Sequence, residues 1–328
     1  MKPIAISLGD PAGIGTEVVL RAIEDLDPEI PIRLFGDWEY AKRSPGPWPE
    51  RIRRVPGGEP LDEDGGTIFV DVASSGGHPL EFGVIHRHYG RTALAALEAA
   101  LDAVEGGACG ALVTAPIHKQ AVLAAGSPFA GHTELLASRA GLTAYGRDHA
   151  MLFDSPRLRV ALLSVHVSLA DAIAMVTAER VRDLALLVDR EHKRLFGGAP
   201  RIAVAGINPH AGEGGHFGSE EEAIAAGVEM AKEAGLAISG PLPPDAVYLR
   251  ASRGTWDVVL AMHHDQGLIP VKILDFERSV NVTIGLPYLR CSVDHGTAFD
   301  IAGRGIADPA PMKFAIEWAA HHAELAHE

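Results

Sequence analysis

The feature that most constrains this chain is the alternation of short apolar runs with longer segments whose apolar residues recur every three to four positions. The run Ile4-Ala5-Ile6-Ser7-Leu8 leads through a Gly/Pro loop into a helix expected from about Glu17. Leu94, Leu97, Leu101 and Val104 mark one face of a helix over 91–104. Further strands are expected at 68–72, 111–113, 159–165, 201–205, 258–262 and 280–284, and further helices at 177–196, 219–234 and 312–322. Ser219 with Glu222 three residues on reads as a capping box for the helix over 219–234. When a helix follows each strand it carries the chain back along the sheet face, so successive strands pair in parallel. The pattern predicts an α/β fold with a largely parallel sheet. No internal repeat or low-complexity tract interrupts it, and the proline-rich stretch 44–60 reads as a surface excursion.

Composition narrows the function. A chain of 328 residues, 47% hydrophobic, suffices for one large or two moderate domains. Its 43 acidic against 29 basic residues give a formal charge of -14, which repels nucleic-acid phosphates. The nearest thing to a basic patch, Arg51, Arg53 and Arg54, sits among prolines and reads as a solvated loop. Two cysteines, Cys109 and Cys291, exclude a disulfide framework and fit a reducing compartment. The N-terminal apolar run is too short for a signal segment or a span, and no stretch approaches the roughly 18 apolar residues a span needs. We therefore expect a cytoplasmic protein that binds neither nucleic acid nor membrane.

The chemistry-bearing residues follow expected strands, where open α/β sheets bind ligands. Gly9-Asp10-Pro11-Ala12-Gly13-Ile14-Gly15 follows the first strand but lacks G-x-G-x-x-G spacing. Two readings stand: a phosphate cradle and a tight strand-to-helix turn. His166, His210 and His264 each lie at or near a strand end, and three convergent imidazoles suit Zn²⁺ with one coordination position open. Singly, each also suits a hydrogen-bonded structural role. A fourth cluster is Gly131-His132-Thr133-Glu134. A fifth is Lys272, Asn281 and Arg290, the residue types that hold phosphate or carboxylate.

These motifs together carry a family resemblance. GDPAGIG (9–15), TAPIHK (114–119), GHTE (131–134), NPHAGEGG (208–215), HDQGLIPVK (264–272) and VNVTIGLPYLRCSVDHGTAFDIAG (280–303) make the chain resemble the 4-hydroxythreonine-4-phosphate dehydrogenase family of vitamin B6 synthesis over nearly its whole length. The resemblance implies a two-domain fold like that of isocitrate and isopropylmalate dehydrogenases, with a cleft between the domains. A cofactor-side domain is expected at 1–125 and 278–328, and a metal, substrate and dimerisation domain at 126–277. It implies an obligate homodimer whose metal site is shared between subunits. By matching motif, His166, His210 and His264 are the metal ligands. His132, Thr133, Lys272, Asn281 and Arg290 bind substrate, and Lys119 and Lys272 are the candidates for proton transfer.

Residues His295, Gly296, Thr297, Ala298 and Asp300 fall in a stretch similar to the adenosine-binding loop of isopropylmalate dehydrogenases. Asp300 there favours NAD: a carboxylate accepts from a ribose diol and repels a 2′-phosphate. Arg304 keeps NADP as the alternative, and a helix-capping role is the other reading of Asp300. Zinc is the expected metal, with magnesium or cobalt as alternatives.

The implied reaction is oxidation of 4-phosphooxy-L-threonine at C3, giving a 3-oxo acid that decarboxylates to 3-amino-2-oxopropyl phosphate. Relatives carrying these motifs act on 4-phosphorylated threonate or erythronate, or on a cyclic dihydrodiol dicarboxylate, and His118 points to the vitamin B6 branch. Two readings from other classes stand beside it: a metal-dependent phosphohydrolase, which has no use for an adenosine loop, and a non-catalytic metal- or phosphate-binding protein.

Overall fold

The computed structural model describes residues 1–48, 52–59, 61 and 66–325. The chain forms two compact units, the first from Met1–Ala140 with Pro287–Glu328, the second from Gly141–Leu286. The first unit opens with β1 (Ile4–Ser7), α1 (Gly15–Glu24), β2 (Ile32–Gly36), α2 (Trp38–Ala41), β3 (Ile52–Pro56) and β4 (Thr67–Asp71). It continues through α3 (Arg87–Glu105), β5 (Ala111–Thr114), α4 (Lys119–Ala124) and α5 (His132–Arg139). The second unit begins with β6 (Ala150–Asp154), β7 (Arg159–Leu162), α6 (Leu169–Ala174), α7 (Ala178–Phe196) and β8 (Ile202–Ala205). It ends with α8 (Glu220–Glu233), β9 (Ile238–Leu242), α9 (Pro244–Ala251), β10 (Val258–Ala261), α10 (His264–Asp275) and β11 (Val280–Ile284). The chain then returns to the first unit as β12 (Leu289–Ser292) and α11 (Ala310–Leu325).

In the first unit the strand order is β3-β4-β2-β1-β5-β12, and the pairs are parallel. In the second it is β11-β6-β7-β10-β8-β9. There β6 runs antiparallel to both its neighbours, while β7, β10, β8 and β9 are parallel. Every residue of β1, β5, β8 and β10 is buried, as expected of strands covered on both faces, and this is why they read as unbroken apolar runs. The α3 helix buries Ala93, Ala96, Leu97, Ala100, Leu101 and Val104 on one face. Thr177 caps α7 by accepting from the Arg180 amide, and Gly197 ends it at φ 76°.

Three local expectations need correction. Ser219 precedes α8 without a side-chain cap bond, so no capping box forms; its carbonyl accepts from the Glu222 amide instead. The stretch 44–60 is not only an excursion, because β3 pairs with β4 and Arg54 binds the Asp71 carboxylate on β4. The basic run is not a loop: Arg53 and Arg54 lie on β3, both exposed, and Arg51 lies outside the described residues. Both cysteines are buried and free, and burial pushes their thiols up to about 12. Among the described residues no helix is long and apolar enough to cross a membrane.

The second unit's core, including Met151, Phe153, Val160, Leu162, Val259 and Val271, sets how closely α10 approaches the sheet. Gly267 permits that approach: a Cβ there would lie 2.6 Å from Leu162 Cδ2 and 2.9 Å from Val160 Cγ1. Gly267→Ala is therefore expected to lower stability by about 1–3 kcal/mol, the usual cost of overpacking. Urea unfolding of the two proteins measures it, and an unchanged midpoint would show that the contact relaxes freely.

Candidate active site

The loop after β1 is a scaffold. The Asp10 amide donates to the Pro116 carbonyl (2.9 Å), the Gly13 amide to the Asp10 carbonyl (3.1 Å) and the Ile14 amide to the Thr297 carbonyl (3.0 Å). The Ala12 amide donates to Asp10 Oδ1 (2.9 Å). With these amides spent on protein acceptors, the tight-turn reading prevails over the phosphate cradle. Gly9 holds φ +70°, and a Cβ on it would lie 2.2 Å from the Pro116 carbonyl oxygen, so the backbones of the two motifs touch.

That loop underlies 295–303. Gly13 faces Thr297, Gly83 faces the Phe299 carbonyl, and the His118 ring stacks on Phe299 at 4.7 Å. Ala298 holds a left-handed φ of 41°. His295 Nδ1 lies 3.0 Å from the Gly296 carbonyl, and its Nε2 is buried without a hydrogen bond. Asp300 is exposed, in a run of turns, and the next helix is served by Asp308, which accepts from the Ala310 amide. A helix-capping role for Asp300 thus finds no helix. Its neighbour Arg304 is exposed as well.

Also in the first unit, Arg290 stands on β12 opposite Leu112, with only 2% of its surface exposed. Its Nη2 donates to Thr114 Oγ1 at 2.7 Å. Burial lowers its pKa to about 10, which leaves it charged at neutral pH. His132 opens α5, and burial together with the Arg290 charge holds its imidazole well below the ordinary range, hence neutral. Its Nε2 is buried with no hydrogen bond. Thr133 follows, half-buried, in the same first turn, whose amides have no helical acceptor. A buried cation, a neutral imidazole and a helix N-terminus together suit an anion. Lys119, the first residue of α4, is exposed.

In the second unit, His264 opens α10 and its Nδ1 donates to Asp265 Oδ1 at 2.7 Å. A carboxylate can only accept, so in the neutral ring the proton sits on Nδ1 and the lone pair on Nε2, the usual arrangement of a metal-ligating histidine. The His166 ring lies 5.6 Å from that of His264. His210 occupies a left-handed turn, Pro209–Gly214, in which His210, Ala211 and Glu213 hold φ of 54°, 55° and 45°. Its Nδ1 is 3.9 Å from Asp245 Oδ2, both side chains being exposed. Within the single chain His166 and His264 come together, whereas His210 does not join them as a trio of close ligand atoms; the trio found among the described residues is His78, His86 and His88. Lys272 on α10 has its Nζ 5.8 Å from the Phe276 ring. Asn281, paired with Phe153 across β11 and β6, is half-buried with its Oδ1 unbonded.

Two positioning residues escaped the sequence reading. Glu221 Oε1 accepts from the amides of Ile207 (2.9 Å) and Asn208 (2.7 Å), and its Oε2 from Asn208 Nδ2 (2.7 Å). Gln266 accepts from the Met262 amide (2.7 Å) and donates to the Gly206 carbonyl (2.6 Å), tying the start of α10 to the end of β8. Glu221 sits in an acidic run that reads only as a helix start; Gln266 is inside a recognised motif.

Burial pushes the Asp10 carboxyl up to about 6 from an ordinary 3.8. A raised folded-state pKa contributes stability that is full below the unfolded value and lost as pH rises through the folded one. Asp10→Asn cannot ionise. The stability of this variant relative to wild type should therefore rise by about 2.4 kcal/mol between pH 4 and 7, most of the shift converted at about 1.4 kcal/mol per unit. Urea unfolding across that range tests it; a difference independent of pH would mean that Asp10 is ionised at little cost.

Comparison with known proteins gives the family. Residues 39–319 match the family described as Pyridoxal phosphate biosynthetic protein PdxA. The chain is 42% identical to a 4-hydroxythreonine-4-phosphate dehydrogenase from Desulfosudis oleivorans, over 96% of this chain and 94% of the other. It is 39% identical to a D-threonate 4-phosphate dehydrogenase from Salmonella typhimurium, over 97% and 98%. The crystal structure of a 4-hydroxythreonine-4-phosphate dehydrogenase from Klebsiella pneumoniae superposes with a TM-score of 0.87 at 37% identity, covering 98% of this chain and all (100%) of that one. Matched over most of its length by the family's sequences and by a solved structure, the chain belongs to the PdxA family of pyridoxal phosphate biosynthetic proteins.

Proposed function

We propose that the protein is a metal-dependent, NAD-linked dehydrogenase that oxidises 4-phosphooxy-L-threonine at C3, with loss of CO₂ to give 3-amino-2-oxopropyl phosphate. The observation that carries this is the His264–Asp265 pair beside His166, with His210 on a strained loop, in a chain of this family. His166, His210 and His264 would hold the metal, zinc by its preference for imidazole, with cobalt or magnesium as alternatives. When bound, the metal would supply Lewis acidity at the substrate's C3 oxygen, and NAD would supply the hydride acceptor.

The chain's own residues divide the remaining work. Arg290, fixed by Thr114, and Lys272 neutralise the anionic end of the substrate. His132, neutral beside that arginine, and Thr133 offer uncharged hydrogen bonds, and Asn281 supplies a carbonyl acceptor. Lys272 or the exposed Lys119 takes the hydroxyl proton. His295, Gly296, Thr297, Ala298 and Asp300 form the adenosine loop, and Asp300 accepts from the ribose diol, which favours NAD over NADP. The helices α6 and α10 leave Leu169, Ile173, Ile269 and Ile273 exposed, as is Phe276 just after α10, in the unit that carries the histidines. Such a surface suits a homodimer in which a partner chain completes the ligand set that His210 does not complete here.

A second reading rests on the Salmonella relative: D-threonate 4-phosphate as substrate, at nearly the same identity. The phosphohydrolase and non-catalytic readings gain no support from dehydrogenase relatives. The test is turnover with Zn²⁺ and NAD⁺ on the two phosphorylated substrates. Turnover of 4-phosphooxy-L-threonine with at least tenfold higher kcat/KM is expected. A preference for D-threonate 4-phosphate would favour the second reading, and no NADH from either would overturn both. Arg290→Ala should cost about 2 kcal/mol or more in kcat/KM, roughly thirtyfold, as a buried charge-assisted contact does; an unchanged value would remove Arg290 from substrate binding.

A further inference from the structure

A histidine cluster in the first unit lies outside all the motifs above. His86 is the residue before α3 and His88 the second residue of that helix. His78 is brought beside them by a turn in which its amide donates to the Ser75 carbonyl (3.0 Å). The turn is braced by Tyr89, whose hydroxyl donates to the Pro79 carbonyl (3.0 Å) and accepts from the Glu81 amide (2.8 Å). The ring centroids of His78 lie 4.4 Å from those of His86 and 4.5 Å from those of His88, and the latter two are 5.1 Å apart. One ring nitrogen from each residue falls within 4.8 Å of the others, and all three side chains are half-buried.

We infer that His78, His86 and His88 form a second divalent transition-metal site, with three imidazole ligands and a fourth position open to water. The contact of His78 Nδ1 with the Pro79 carbonyl, 2.9 Å, sets the tautomer of the neutral ring, because that carbonyl can only accept and the lone pair is left on Nε2. His86 Nδ1 accepts only a long bond, 3.3 Å, from the His88 amide, which coordination would replace at little cost. A tetrahedral zinc site spaces its ligand nitrogens by about 3.4 Å, whereas the three rings stack at interplanar angles of 24°, 21° and 9°, so closing the site requires these partly exposed rings to unstack and turn one lone pair each toward the ion. Three imidazoles without a carboxylate select Zn²⁺, Co²⁺, Ni²⁺ or Cu²⁺ over Mg²⁺ and Ca²⁺. The bound ion would staple the segment 79–85 to the start of α3. That segment carries Gly83, whose amide donates to the Ala12 carbonyl, and Phe82, which packs on Gly303. The ion is thus a structural brace for the loop 295–303, and the inference does not depend on the proposed reaction.

The test is zinc content by elemental analysis after gel filtration, for His210→Ala and for the same protein with His78→Gln and His88→Gln added. The first is expected to retain one equivalent per chain more than the second, whether or not His210→Ala empties the other site; equal content would overturn the inference. Wild-type protein provides an independent reading that needs no variant. Zn²⁺ should slow diethylpyrocarbonate labelling of His78, His86 and His88 at least fivefold, while Mg²⁺ should not. Labelling indifferent to Zn²⁺ would likewise overturn the site.

Discussion

The structure depends on side-chain oxygens that tie down the backbone of the loops at strand ends. A loop leaving a buried parallel strand exposes amides that no helix or sheet satisfies, and each one left unsatisfied costs about 1–3 kcal/mol. Glu221 answers two of them at Ile207 and Asn208 and holds the Asn208 side chain as well. The turn that follows places three non-glycine residues in left-handed conformations, at about 1–2 kcal/mol each. Three hydrogen bonds to a carboxylate, at about 1.5–3 kcal/mol each, are of the size needed to offset that strain. Asp10 and Gln266 do the same at two other strand ends. Because the backbone groups of these loops are satisfied internally, their side chains remain available for ligands.

Burial decides the protonation states in the first unit. The same desolvation that weakens the Arg290 charge keeps His132 neutral, and the positive guanidinium reinforces that preference. The pair therefore presents one cation and one neutral hydrogen-bonding ring rather than two cations in mutual repulsion. The outcome at Asp10 differs because the charge there is negative, so burial drives the carboxyl toward its neutral form.

The fold class was legible because strands buried on both faces leave an unmistakable trace, as β1, β5 and β10 show. Elements that depend on tertiary context were not. β9 contains Gly240 and Pro241 and occupies an edge, where proline costs no ladder bond, and β12 carries Arg290 in the middle of a buried strand. The motifs named His264, Arg290 and the loop at 295–303 as candidates, since each lies in a short contiguous signature. Glu221 was hidden because its role depends on reaching back thirteen residues to Asn208, a distance set by the fold. The cluster at His78, His86 and His88 was hidden in the same way: only the turn beneath Tyr89 brings the first histidine to the other two.

If Glu221 holds the His210 loop in its ligating conformation, the carboxylate controls metal affinity without touching the metal. The direct measurement is the zinc dissociation constant of the site by chelator competition, for wild type and Glu221→Ala, each with His78 and His88 replaced by glutamine so that one site reports. The account predicts weakening by about 10–100-fold, the scale of supporting contacts around metal ligands, with the far-ultraviolet circular dichroism spectrum retained. An unchanged dissociation constant in the folded variant would contradict it.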